Sequence, residues 1–232
     1  MSAPDQTGWP GADPAMGFLG VLDAKQSAHL RSRAIQRRFR KGQAVFHQGG
    51  VSDRVIAVLT GRVKVSTTTA AGKEVVLAFR GPGDLLGELS AIDGQPSSAS
   101  VEAVEPVEAL AIAAPDFRAF LIEHPEVGLV LMQTMGRRLR DADRKRVEYG
   151  AHDTVGRVAA RLLELTEQYG EETDDGIRIG LRLSQEELAG WTGASREAVS
   201  KALRALRAAG WVTTERRRIT VRDPEALRRR SA

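Results

Sequence analysis

Near its C-terminus the chain carries LSQEELAGWTGASREAVSKALRALRAAGWV, residues 183–212, and no other stretch constrains the fold as tightly. Ser184 is followed three residues later by Glu187, a capping box that starts a helix. That helix ends near Thr192–Gly193, where glycine supplies a sharp turn. Ser195 then caps a second helix that stops at Gly210. Two short helices joined by a glycine-containing turn form a helix-turn-helix, and the second is the candidate recognition helix. Ala198, Val199, Ala202, Leu203 and Leu206 give its inward face, while Arg196, Glu197, Ser200, Lys201 and Arg204 lie on or beside the outward one. In a major groove, arginine donates two bonds to guanine and glutamate accepts from the cytosine amino group. The following WVTTERRRITVRD alternates as a β-hairpin with Arg216, Arg217 and Arg218 at its tip, a wing suited to phosphate contact. Ser184 and Ser195 complete this candidate DNA-binding set. The bland alternative is a helical hairpin whose charges face water.

Charge supports the first reading. The chain has 34 cations against 30 acids, a net of only +4. From Ser195 to Ala232, however, eleven Lys and Arg face four Asp and Glu. Such a local excess suits a polyanion partner, here double-stranded DNA. The competing explanation is a solvated helix face followed by a loose basic tail.

Length and composition exclude several other classes. The 232 residues allow one or two domains. With no cysteine, disulfides, thiolate zinc sites and cysteine-ligated clusters are ruled out. No window approaches 18 uninterrupted apolar residues, so no membrane span is expected. MSAPDQTGWPGADPAMG lacks a basic n-region and a long apolar core, so no secretory signal is expected and the location is read as cytoplasmic. There is no P-loop, no GxGxxG opening a βαβ unit, no HExxH and no GxSxG elbow, so no enzyme is expected. His29, His47, His124 and His152 occur singly along the chain and read as surface or packing residues, with no metal site.

The remaining segments outline an α+β chain. Residues 1–17 read as a disordered lead-in. A short helix is expected over Ala24 to Arg38, with Leu30, Ala34 and Ile35 on its apolar face. Between Phe39 and Ile112, short apolar runs at Val55–Leu59, Val63–Val65, Val75–Phe79 and Val107–Ile112 are separated by turn glycines. That pattern argues for an antiparallel barrel or sandwich. APDFRAFLIEHP is a short helix, and Pro125 opens a long one to about Tyr149. Met132, Met135, Leu139, Ala142 and Tyr149 fall on a 3-4 spacing there, a coiled-coil seam broken by Arg146. The stripe must be buried against its own β domain or against a second copy, and self-association is the favoured reading. Arg146 either weakens that dimer or mates with Glu148 or Asp143. A further amphipathic helix over Val155 to Gly170 ends at a glycine cap, followed by an acidic turn and a short strand.

Three stretches together carry a family resemblance: PGDLLGELSAIDG, the helix containing DTVGRVAARLLEL, and LSQEELAGWTGASREAVSKAL. From about Phe18 to Leu227 the chain resembles the CRP/FNR superfamily of bacterial transcription regulators. The resemblance implies a cyclic-nucleotide-binding jelly roll over residues 18–124, a dimerisation helix over 125–152 and a winged-helix DNA-binding domain over 153–232. It implies a homodimer on palindromic promoter DNA, with Arg196, Glu197 and Lys201 facing base edges. Family members usually carry arginine at the position of Lys201. Lysine keeps the charge but lacks the bidentate fork, so looser discrimination at one base pair is expected. The spacing of Glu197, Ser200 and Lys201 also resembles the FNR branch, leaving the half-site open between the two. Near Glu171 to Asp175, family activators meet RNA polymerase, a further candidate partner.

The effector pocket departs from the family pattern. The candidate residues are Gly87, Glu88, Leu89, Ser97, Ser98, Ala142 and Asp143. In cyclic-AMP-responsive members an Arg-Ser or Arg-Thr pair grips the cyclic phosphate, and here Ser97 and Ser98 stand in its place. The long-helix Thr-Ser pair that meets adenine is replaced by Ala142 and Asp143. Removing the arginine loses a charge-assisted contact of about 1.5–3 kcal/mol, or roughly tenfold to a hundredfold in affinity. Glu88 either touches a sugar, as in the family, or holds the turn. The expectation is weak binding of cyclic AMP, with another nucleotide-like effector or none as the alternatives. A ligand-sensing module acting mainly on a protein partner is the second functional reading.

Overall fold

The computed structural model describes residues 17–181, 183–215 and 218–231. The lead-in expected over residues 1–17 lies outside these except for Gly17. The described chain divides into two compact units. One takes the residues up to Thr68 with Leu77–Leu139, and the other takes Thr69–Val76 with Arg140 onward.

The first unit opens with helices α1 (Gly17–Gly20) and α2 (Ala24–Ser32). Asp23 starts α2 by a reciprocal capping box with Gln26. Strands β1 (Ala34–Phe39), β2 (Ala44–Phe46), β3 (Arg54–Thr60), β4 (Val63–Thr68), β5 (Glu74–Arg80, in this unit from Leu77 on) and β6 (Leu85–Leu86) follow. After helix α3 (Glu88–Asp93) come β7 (Ser100–Ala103) and β8 (Val107–Ala113). They form two four-stranded sheets, ordered β1-β8-β3-β6 and β2-β7-β4-β5, which is the jelly roll. The helix expected over Ala24 to Arg38 is a correction: it stops at Ser32, and Ala34–Phe39 pairs antiparallel with β8 from Ala34↔Ile112 to Phe39↔Val107. The segment AIQRRF is apolar only near its ends, and Ile35 is 63% exposed rather than on a packed helix face. Its backbone hydrogen-bond partner on β8 decides the conformation, which is a non-local effect.

The inner strands β3 and β8 of the first sheet are covered on both faces, which explains their largely apolar runs. Along β3, Val55 and Ala57 join one core with Leu30, Phe117, Phe120, Val127 and Leu131. Ile56 and Val58 point the other way, into a core with Val63, Val101 and Ala103 between the sheets. Alternation along the strand thus sends successive side chains into two different cores. Helix α4 (Ala114–Glu123) buries Phe117 and Phe120 completely, each large buried side chain contributing about 1.5–3 kcal/mol. Helix α5 (Pro125–Ala151) buries Val127 and Leu131 in its first turns.

In the second unit, Asp153 caps helix α6 (Thr154–Tyr169), its carboxylate accepting from Gly156 N at 2.9 Å. Gly170 ends the helix in an extended conformation, φ −76°, not the left-handed cap glycine often supplies. The acidic turn then proves to be a hairpin of two strands, β9 (Gly170–Thr173) and β10 (Gly176–Ile179). Helices α7 (Gln185–Thr192) and α8 (Arg196–Ala208), strands β11 (Val212–Glu215) and β12 (Arg218–Val221), and helix α9 (Pro224–Arg230) complete the unit. Its sheet runs β11-β12-β10-β9. Leu162, Leu188, Trp191, Val199, Leu206 and Leu227 form its buried interior. The C-terminal basic segment is ordered rather than loose, because Leu227 is buried and Arg230 pairs with Asp153 at 2.5 Å. Among the described residues, no helix is long and apolar enough to cross a membrane.

Candidate nucleic-acid interface and effector pocket

The helix-turn-helix is held by local bonds at three points. Ser184 Oγ accepts from Glu187 N at 3.1 Å while Glu187 Oε2 accepts from Ser184 N at 2.8 Å. At the turn, Gly193 has φ +64°, and a Cβ there would come 2.9 Å from the Tyr149 ring. Ser195 Oγ accepts from Ala198 N at 3.2 Å and starts α8. Below, Val199, Ala202, Leu203 and Leu206 are buried and fix the helix's rotation, with Ala198 half-buried beside them. A buried polar cluster sits under the same helices. Arg161, 3% exposed, pairs with Glu164 at 2.5 Å and with Glu148, and Lys145 reaches Glu164 at 3.0 Å.

The opposite face of α8 presents Arg196, Glu197, Lys201 and Arg204, all exposed, with Ser200 half-buried between them. Among the described residues, Arg196, Lys201 and Arg204 make no ion pair. Two of the three cations of α9 differ, with Arg228 on Glu225 and Arg230 on Asp153. Backbone hydrogen bonding at the helix start, with help from Ser195, holds the Glu197 carboxyl below its ordinary value. On the wing, Arg218 is exposed and directly opposite Glu215. Arg216 and Arg217 lie outside the described residues. Ser184 is half-buried with its hydroxyl engaged in the cap. The wing also braces α8, because Arg207 Nη1 donates to Thr214 Oγ1 at 3.0 Å.

In the first unit, the turn at Gly87 starts α3. Its φ is +78°, and a Cβ would meet Arg54 O and the Phe46 ring at 2.9 Å, so only glycine fits. Glu88 is 4% exposed. Arg138, from α5, donates to Glu88 Oε1 at 2.8 Å, to Leu85 O at 3.1 Å and to Asp84 Oδ1 at 3.3 Å. Burial pushes the Glu88 carboxyl above its ordinary value, and the Arg138 guanidinium opposes that shift. Arg138 escaped the sequence reading because it lies fifty positions from Glu88 in a helix of many arginines. Ser97 is buried, its backbone bonded to Gly50 O at 2.9 Å and from Gly49 N at 2.7 Å. It lines a cavity of about 470 Å³ with Arg37, Phe46, His47 and Arg54. Glu88 and Ser98 do not line it, Ser98 is exposed, and Leu89 is 49% exposed. Ala142 and Asp143 are exposed on α5.

Along α5, Met132 and Leu139 are 62% and 64% exposed. Arg146 is exposed as well. Two members of the expected seam have partners within the chain. Met135 packs on the core under the first sheet. Tyr149 Oη donates to Trp191 O at 2.8 Å, and burial pushes its phenol up.

Residues 36–124 match the cyclic nucleotide-binding domain family, and residues 156–230 match the Crp-like helix-turn-helix domain family. The chain is 34% identical over 193 residues to a CRP-like cAMP-activated global transcriptional regulator of Mycobacterium tuberculosis, covering 83% of this chain and 86% of the relative. It is 34% identical over 205 residues to the cyclic AMP receptor protein of Thermus thermophilus, covering 88% and 92%. The structure of a CooA variant from Carboxydothermus hydrogenoformans shares the fold, with TM-score 0.78 at 22% identity over 93% of this chain and 96% of that one. A jelly roll and a helix-turn-helix in this order, with relatives this similar over most of their length, place the chain in the CRP/FNR superfamily of transcription regulators.

Proposed function

We propose that this chain acts as a homodimer that reads a palindromic promoter site through α8, one copy per half-site. The observation that carries the reading is the outer face of α8. Arg196, Lys201 and Arg204 are exposed there and make no ion pair among the described residues, on a helix whose inner face is buried and rotationally fixed. Two such helices would enter successive major grooves about 34 Å apart. Arg218 at the wing would contact phosphate, giving affinity and salt dependence. The exposed Met132 and Leu139, with Ala142, would supply the seam between copies. Selection of bound duplexes from a random pool tests this. An inverted repeat with half-site centres one turn apart is the expected product, and recovery of no common sequence would refute the reading.

The sensor domain, in this proposal, binds cyclic AMP weakly. Serines replace the arginine that would pair with the cyclic phosphate, and Glu88 is committed to Arg138. Calorimetric titration with cyclic AMP, with cyclic GMP as control, is expected to give no micromolar binding. Stoichiometric heat at micromolar ligand would overturn this part.

A further inference from the structure

Two histidines that stand alone in the sequence meet in the first unit. His29, from the last turn of α2, places Nδ1 3.0 Å from Nε2 of His124, which ends α4. Glu123 lies beside the same ring, its Oε2 3.5 Å from the other nitrogen of His29, Nε2. One ligand atom from each of the three residues can be chosen so that all lie within 4.8 Å of one another. Ligand nitrogens about 2.0–2.1 Å from a tetrahedral zinc ion stand roughly 3.3 Å from each other. The imidazole spacing is therefore close to that of a ligand pair.

The surroundings hold both rings in place. His29 meets Phe120 edge-on at 5.7 Å and His124 lies 4.7 Å from the same ring, and Phe120 is completely buried. His124 Nδ1 faces Glu126 Oε1 at 3.6 Å, and that carboxylate accepts from Gln26 Nε2 at 2.6 Å. A carboxylate behind a ligating imidazole is the usual second support of a metal-bound histidine, since it fixes the ring and its tautomer. Arg33 holds the other face of Glu123, donating to Oε1 at 3.1 Å.

We propose that His29, His124 and Glu123 bind one divalent transition-metal ion, zinc by ligand chemistry, with a fourth position open to water. Two imidazoles and one carboxylate suit zinc or cobalt(II) and not calcium or magnesium, which take oxygen ligands. The bound ion clamps the end of α2 to the α4–α5 junction, where Pro125 opens the long helix. This inference is independent of how the second unit meets DNA.

The test uses the full-length chain, free of any tag and stripped with chelator, titrated with zinc by calorimetry. One equivalent per chain is expected, weakened at least tenfold by His29→Gln or His124→Gln and unchanged by His47→Gln. No binding below about 1 mM zinc, or equal binding by all three variants, would overturn the site and leave a histidine–histidine hydrogen bond. Should a variant fail to fold, X-ray absorption of the zinc-loaded wild-type chain decides. Two imidazoles plus oxygen support the site, and one imidazole or none refutes it.

Discussion

Glu88 shows what a buried carboxylate requires of its neighbours. Its carboxylate is buried, so ionisation is tolerable only beside a cation, and Arg138 supplies one at 2.8 Å. Arg138→Leu is expected to destabilise the chain by about 3 kcal/mol at pH 7, the low end for breaking a buried pair. The sign with pH follows from the upward shift at Glu88. Where the folded carboxyl still holds a proton that the unfolded chain has lost, rising pH favours unfolding. Stability of the variant should therefore fall as pH rises above about 4.5, more steeply than in the wild type, in urea titrations at pH 4.5 and 7. A pH-independent difference would contradict this account. Gly87→Ala should lose about 1–2 kcal/mol from the left-handed conformation alone, before the clash with Phe46 is counted. Ser97→Arg tests the effector argument from the other side. If the missing guanidinium is what weakens cyclic AMP, the substitution should tighten binding roughly tenfold or more, and no gain would place the defect elsewhere.

Elements differ in how readable they were, and the difference is one of range. Helices α7 and α8 begin with hydroxyls bonded to amides three residues on, so their starts are written in adjacent residues. Ser184→Ala should accordingly cost about 1 kcal/mol by urea unfolding, with little change if the cap is idle. Strands β3 and β8 were legible because both of their faces are buried, giving continuous apolar runs. By contrast, β1 has mostly exposed side chains and takes its conformation from β8, some seventy residues away. Strands β2 and β6, of three and two residues, are too short to show any period. The same limit hid Arg138 behind Glu88 and His124 beside His29, pairs made only by tertiary folding. On α5 the heptad spacing was visible, but Met135 and Tyr149 find partners within the chain, which spacing alone does not reveal. Leu139 is 64% exposed. Leu139→Lys should therefore leave thermal stability of the units nearly unchanged while weakening self-association at least tenfold by sedimentation. An unaltered dimer would move the interface off this face.

At the scale of the whole molecule, a jelly roll is connected through one long helix, Pro125–Ala151, to a helix-turn-helix. Charge separates the roles in part: on α9, Arg228 and Arg230 pair with acids within the chain, whereas Arg196, Lys201 and Arg204 on α8 face outward. Outward cations release counterions from DNA, so affinity should fall steeply with salt, each lost phosphate contact reducing the log–log slope by about 0.9. Base-facing residues act differently, because their loss relaxes choice at one position of the site. The central claim is that α8 reads sequence, and fluorescence anisotropy at fixed salt tests it most directly. The full-length chain and its Arg196→Ala variant would each be titrated with a selected palindrome and a scrambled duplex. The account predicts tight binding of the wild type to the palindrome. It also predicts a loss of about 1–3 kcal/mol on that duplex for the variant, with little change on the scrambled one. Equal wild-type affinity for both duplexes, or an equal loss on both in the variant, would contradict it.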